Sequence, residues 1–189
     1  MGFSRAELES FRDAEVPDLI GPDCRLLFVG VNPGLWTAAT GAHFARPGNR
    51  FYPALQRAGI IDRPIDPTAG MSAADRGLLV SRGVGITNLV PRATARADEL
   101  TPAELRAGGA RLRVLVAELR PRVVAVAGIT AYRAAFGARK ASKGRQPEEF
   151  EGAELWVVPN PSGLNAHDTV DSLAEAYRAA AVEAGVVSD

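Results

Sequence analysis

The residues best placed to do chemistry lie in two short stretches rich in glycine, proline and asparagine. The first is Gly30-Val31-Asn32-Pro33-Gly34, which continues through Leu35-Trp36-Thr37 to His43-Phe44-Ala45-Arg46-Pro47-Gly48-Asn49-Arg50-Phe51-Tyr52. The second is Pro159-Asn160-Pro161-Ser162-Gly163-Leu164-Asn165. Glycine and proline in the first make a tight turn whose backbone can approach a ligand closely. That stretch supplies a carboxamide, Asn32, and an aromatic face, Phe44. The second sets one bare leucine, Leu164, among small and polar residues, too isolated for an ordinary strand or helix core position. Taken singly, each has a plain explanation: Asn-Pro-Gly is a common turn, Phe44 a core residue, and Leu164 could tuck its own loop down. Together they offer a polar group and an aromatic face from one loop and an apolar wedge from the other.

Strands must hold both loops in place. Leu26 to Val31, Val84 to Leu89, Val123 to Ala127 and Leu155 to Val158 are brief apolar runs bounded by Gly or Pro, as parallel strands buried on both faces tend to be. Thr101-Pro102-Ala103-Glu104 combines a capping box with proline at the first helical position, and Leu105, Leu112, Leu115, Val116 and Leu119 trace one face of the helix that follows. Leu173, Ala176, Tyr177, Ala180 and Ala184 do the same near the carboxyl terminus. Asn49 to Ala58 and Ser72 to Ser81 read as further helices, and Gly137 to Gly152 as a long surface loop. Alternating strands and helices predict an α/β fold, a three-layer α/β/α sandwich around a short, mainly parallel four-stranded sheet. One domain is expected over residues 1–189. Ligands of such sheets bind beyond the carboxyl ends of the strands. Both loops follow strands, which are expected to be neighbours.

Composition narrows the chemistry. The 22 basic and 22 acidic residues give zero formal net charge, which argues against a general nucleic-acid binder but not against one that uses a small face. Arg139, Lys140, Lys143 and Arg145 crowd into the long loop; they suit phosphate contacts, or simply a solvated basic turn. Cys24 is the single cysteine, so an internal disulfide or a cysteine-rich iron–sulfur cluster is excluded and a reducing compartment fits. Gly83-Val84-Gly85-Ile86-Thr87-Asn88 lacks the third glycine of a dinucleotide fingerprint, and no Gly-Lys-Ser/Thr phosphate loop exists. His43 and His167 have no metal-ligand partner at suitable spacing, so neither metal nor cofactor is expected. No signal-like or membrane-spanning apolar run is found, which predicts an intracellular protein with no membrane partner.

Gly-Val-Asn-Pro-Gly, then His-Phe-Ala-Arg-Pro-Gly-Asn-Arg-Phe-Tyr, then Asn-Pro-Ser-Gly-Leu resembles the mismatch-specific uracil-DNA and thymine-DNA glycosylases, a branch of the uracil-DNA glycosylase superfamily. The likeness runs through Gly85-Ile86-Thr87-Asn88-Leu89 and Ala127-Gly128-Ile129-Thr130-Ala131-Tyr132 to Glu175-Ala176-Tyr177-Arg178, about residues 22 to 180. It implies hydrolysis of the N-glycosidic bond of uracil mispaired with guanine in double-stranded DNA, leaving an abasic site, by a monomer that needs no cofactor. Uracil would be extruded from the stack. Asn32 would be the catalytic asparagine, fixing a water because an amide is too weak a base to deprotonate it. Gly30, Val31, Gly34, Thr37, His43, Phe44 and Asn160 would form the base pocket, with Phe44 stacking on the pyrimidine and Thr37 either near its carbon 5 or simply capping a turn. Leu164 would be the wedge, flanked by Ser162, Gly163 and Asn165, which would face the orphaned guanine. Lys140, Lys143 and Arg145 would touch phosphates. Asn165 and Ala166 depart from the serine and basic residue expected there. Asn160 stands where other branches place a histidine. Thymine and 3,N4-ethenocytosine remain open as further substrates. A hydrolase of free nucleosides and a catalytically weak mismatch-binding or damage-binding module are the competing readings.

Overall fold

A computed structural model of the chain describes residues 2–189. Five strands form one sheet in the order β2-β1-β3-β5-β4, where β1 is Leu26–Gly30, β2 Val84–Asn88, β3 Val123–Ala127, β4 Gly144–Phe150 and β5 Ala153–Val158. The first four in that order run parallel, and β4 pairs antiparallel with β5. The side-chain alternation of β1 builds two cores at once. Leu26 and Phe28 pack with α3 (Phe51–Arg57), α4 (Ala73–Ser81) and α7 (Val170–Glu183). Leu27 and Val29 pack with α5 (Pro102–Leu119) and α6 (Ile129–Phe136). A strand buried on both faces has no polar side to show, which is why β1 and β3 read as unbroken apolar runs. Two short helices, α1 (Arg5–Glu9) and α2 (Leu35–Thr40), and a 3-10 turn at Ala97–Glu99 complete the described elements.

Two expectations need correction. The sheet has five strands, not four: the supposed surface loop of residues 137–152 contains β4. Its sequence Gly-Arg-Gln-Pro-Glu-Glu-Phe carries no apolar run because an edge strand buries little, here only Gln146 and Phe150. Pro147 is tolerated because the register shifts between Arg145 and Glu149, so the ladder loses no bond there. The strands that precede the two loops are not neighbours either, since β3 lies between β1 and β5. The loops still meet above it: the Arg50 amide donates to the Pro161 carbonyl at 2.9 Å.

Helix α5 presses close to the sheet edge through consecutive glycines. A Cβ on Gly108 would overlap the carbonyl oxygen of Leu89, and one on Gly109 would stand 2.9 Å from the Ala135 carbonyl oxygen. In contrast, Gly77 in α4 has nothing within 4 Å of its would-be Cβ. Gly77→Ala should therefore raise the unfolding free energy by about 0.5–1 kcal/mol, the usual gain from replacing helical glycine. Gly108→Ala should lower it by about 1–3 kcal/mol through overpacking. Urea unfolding of both variants reads the difference in sign.

Candidate active site

Asn32 stands just past the carboxyl end of β1. The β1–β2 pairing extends beyond the strands, with the Leu89 and Val90 amides donating to the Gly30 and Val31 carbonyls at 2.9 and 3.0 Å. The returning chain then lies against the turn, where the Thr94 amide donates to the Pro33 carbonyl at 3.2 Å. This stretch holds the Asn32 side chain. Its Nδ2 donates to the Arg92 carbonyl at 3.0 Å and to Thr94 Oγ1 at 2.8 Å. The Thr94 hydroxyl in turn donates to the Arg96 carbonyl at 2.7 Å, so toward Asn32 it can only accept. Both amide hydrogens are thus spent on the protein. Among the described residues Oδ1 accepts no hydrogen bond, and it is open to the cavity in front of it.

The aromatic wall is built with equal care. Phe44 adopts φ +56°, a left-handed conformation that costs a residue with a Cβ about 1–2 kcal/mol. Its neighbours hold it there: Tyr52 Oη donates to the His43 carbonyl at 2.9 Å, and the Ala45 amide donates to Thr37 Oγ1 at 3.4 Å. One face of Phe44 lies stacked on the buried Phe51, with centroids 4.1 Å apart and planes 26° from parallel. The ring also borders the cavity. Thr37 lines the cavity too, but it is buried, and its hydroxyl accepts from the Ala45 amide.

His43 lies beneath, 3% exposed, and burial holds its pKa below the ordinary imidazole value, with a smaller opposing pull from the Pro17 carbonyl. Its Nε2 is 2.9 Å from that carbonyl, which fixes the proton on Nε2 and leaves Nδ1 an acceptor. Asn88, at the end of β2, donates its Nδ2 to that nitrogen at 3.4 Å. Asn88 Oδ1 then fills the space beside Gly30, where a Cβ would stand 2.6 Å away. Residue 30 must therefore be glycine because a neighbouring carboxamide occupies the place of its side chain. Asn88 lines the cavity, and only its own side-chain geometry reveals it.

The second loop is held by its own asparagines and by one arginine. Asn160 Oδ1 accepts from the Ser162 amide at 3.0 Å. Asn165 Nδ2 donates to the Asn160 carbonyl at 3.0 Å and to Asp168 Oδ2 at 2.9 Å, while its Oδ1 accepts from the His167 amide at 3.1 Å. The Asn165 carboxamide is therefore wholly engaged in bracing its own loop. Arg50, at the start of α3, donates to the carbonyls of Ser162 and Asn165 at 2.7 Å each and to that of Asp168. Gly163 rides against the first loop; a Cβ there would stand 3.0 Å from the Gly48 carbonyl oxygen. At the crest of this rigid loop Leu164 is left 72% exposed.

Every residue read from sequence as pocket lining joins Asn32, Ser162 and Leu164 around one cavity of about 780 Å³. Gly163 and Asn165 flank it without lining it. Lys140, Lys143 and Arg145 line a separate groove of about 610 Å³ beside α6 and β4. Lys143 reaches Asp168 at 3.5 Å, which ties that groove to the Leu164 loop, and Arg145 pairs with Glu154 at 3.0 Å. His167 is exposed. The sequence reading passed over Thr94, Asn88 and Arg50. Their signal is positional, since each acts on a site residue distant in sequence.

The Uracil DNA glycosylase superfamily model matches residues 17–183. Among solved structures, the chain resembles a proposed uracil DNA glycosylase from Methanosarcina acetivorans, determined by NMR in solution. The TM-score is 0.59 at 15% identity, over 91% of this chain and 96% of that one. At that identity the likeness speaks for the fold.

The geometry carries two predictions. Arg50→Met should speed amide hydrogen exchange across residues 162–168 while leaving β1 and β3 protected, because the loop loses its three-carbonyl anchor. For His43, the folded pKa is depressed, so its contribution to stability is full above the unfolded value near 6.5 and is lost as pH falls from there through the folded value. Unfolding free energy should drop between pH 7.5 and 5.5, and His43→Gln should reduce that drop.

Proposed function

The chain belongs to the uracil DNA glycosylase superfamily, and on that premise we propose that it releases uracil from double-stranded DNA, preferring uracil opposite guanine. The observation that carries this reading is the Asn32 amide, whose nitrogen is spent on Arg92 and Thr94 and whose oxygen opens into a cavity walled by Phe44 and edged by Leu164. A hydrolase of free nucleosides would have no use for a leucine left 72% exposed on a braced loop.

The reaction begins with extrusion of the nucleotide, which costs a few kcal/mol and least when the base is mispaired. Leu164 fills the vacated stack. Uracil lies on the free face of Phe44. The Asn88 carboxamide and the backbone amides of Val31 and Phe44 meet its polar edge. A water donates a hydrogen bond to Asn32 Oδ1 and turns its lone pair toward the anomeric carbon. Asn32 contributes chiefly by position, since an amide cannot remove the proton. The carbon–nitrogen bond breaks with its electron pair going to the base, where the pocket donors stabilise the negative charge. Water adds to the oxocarbenium-like sugar and gives its proton to solvent. The carboxylates that line the cavity, Glu9 and Asp98, are each ion-paired, to Arg12 at 2.9 Å and Arg96 at 3.0 Å. No free carboxylate base then drives the step, and turnover is slow.

Single-turnover assays with an alkali step will show strand cleavage at uracil opposite guanine, faster than opposite adenine. Asn32→Ala will lower that rate by about 100-fold, the scale of a lost positioning group. Leu164→Ala will slow excision from duplex but not from single strands. Undiminished excision by Asn32→Ala would remove that residue from the mechanism. Tight duplex binding by wild type without uracil release would instead mark a damage-binding module.

A further inference from the structure

Helix α1 takes no part in either core, for none of its residues is buried. It is nonetheless fixed from several sides. Ser4 and Glu7 cap it reciprocally, through bonds of 2.7 and 3.2 Å. Phe3 meets Trp36 edge-on at 5.0 Å. Arg12 reaches Glu99 at 2.6 Å. The Asp13 amide donates to the Ala93 carbonyl and the Ala93 amide to the Ala14 carbonyl, each at 2.9 Å. The helix is thus strapped to the stretch that holds Asn32, and it presents Arg5, Leu8 and Glu9 to the same cavity. The superfamily match begins only at residue 17, so α1 itself lies outside it, while the residues it is strapped to lie within.

A helix that buries nothing, yet is anchored at the mouth of a cavity, serves that mouth and not the core. Its charges say what it faces. On the helix Glu7 is spent on the cap; among the cavity-lining groups Glu9 pairs with Arg12, which also reaches Glu99, and Arg96 pairs with Asp98. Arg5 on α1 and Arg46 on the Phe44 loop are both exposed and have no carboxylate within ion-pair distance among the described residues. With zero net charge, the chain has no general attraction for a polyanion, so local unpaired cations must supply it. We propose that α1 belongs to the duplex-binding face, and that Arg5 and Arg46 contact the backbone phosphates flanking the extruded nucleotide. This rests on the reading of the cavity as a DNA site and adds to it an element that the family match does not cover.

The test measures binding and needs no catalysis. Fluorescence anisotropy would follow the full chain binding a duplex that carries a tetrahydrofuran abasic analogue opposite guanine, over a series of KCl concentrations. Arg5→Ala and Arg46→Ala should each weaken binding about tenfold, the scale of one charged hydrogen bond. Each should also make the slope of log K against log salt shallower by about 0.9, while Arg5→Lys keeps the slope. The thermal midpoint of Arg5→Ala should match wild type, since α1 buries nothing. Unchanged affinity and slope in Arg5→Ala, or an effect at Arg46 alone, would overturn the role of α1. If wild type also releases uracil, the glycosylase reading survives that result. The reverse, phosphate contacts present but no uracil released from any duplex, would overturn the glycosylase reading and keep this one.

Discussion

A carboxamide can orient a water only if its two ends are told apart, and that constraint organises this site. Asn32 Nδ2 faces a backbone carbonyl and a hydroxyl already committed as a donor elsewhere, so the oxygen must face the cavity. The stretch from Arg92 to Arg96 that imposes this order is itself strapped down. The Arg92 guanidinium grips Glu104 at 2.5 Å and Asp13 at 3.0 Å. Glu104 closes the capping box of α5, its pKa held to about 2 chiefly by Arg92 and then by the Thr101 amide at the helix start. One helix cap, one amino-terminal segment and one strand end therefore converge on the direction of a single amide.

A second chain of contacts couples the Phe44 wall of the cavity to the Leu164 loop. Phe44 rests on Phe51, the first residue of α3, and Arg50 immediately before it holds three carbonyls of the Leu164 loop. Any shift of α3 would move the aromatic wall and the Leu164 loop together. Under the proposed reaction, which extrudes a base and fills its place, such coupling would keep the two surfaces in register. The left-handed turn at Phe44 is the local strain this arrangement holds in place, as strained backbone often is at functional sites.

Much of this was legible before any coordinates. The strands β1, β2, β3 and β5 announce themselves because burial on both faces demands apolar runs, and α5 because Thr101, Pro102 and Glu104 sit at fixed offsets. Strand β4 was hidden because an edge strand with a proline and two buried side chains has the composition of a loop. Helix α1 was hidden because a helix without a buried face has no hydrophobic period to read. Within the site, Asn32, Phe44 and Leu164 stood out by type and place. Thr94, Asn88 and Arg50 act by hydrogen bonds across 62, 45 and more than 100 positions of chain, and no local pattern encodes such a partnership. Asn165 shows the converse: a residue that stands out by its place has a side chain wholly committed to the scaffold.

The most direct test of the orientation claim is the single-turnover rate of uracil release at saturating duplex for Thr94→Val and Thr94→Ser. Valine keeps the buried volume but removes the oxygen that accepts from Asn32, and serine restores it. If the held amide is what positions the water, Thr94→Val loses about tenfold or more in that rate with little change in the half-saturating duplex concentration, and Thr94→Ser recovers most of it. A Thr94→Val chain that folds normally and releases uracil at the wild-type rate would contradict the account.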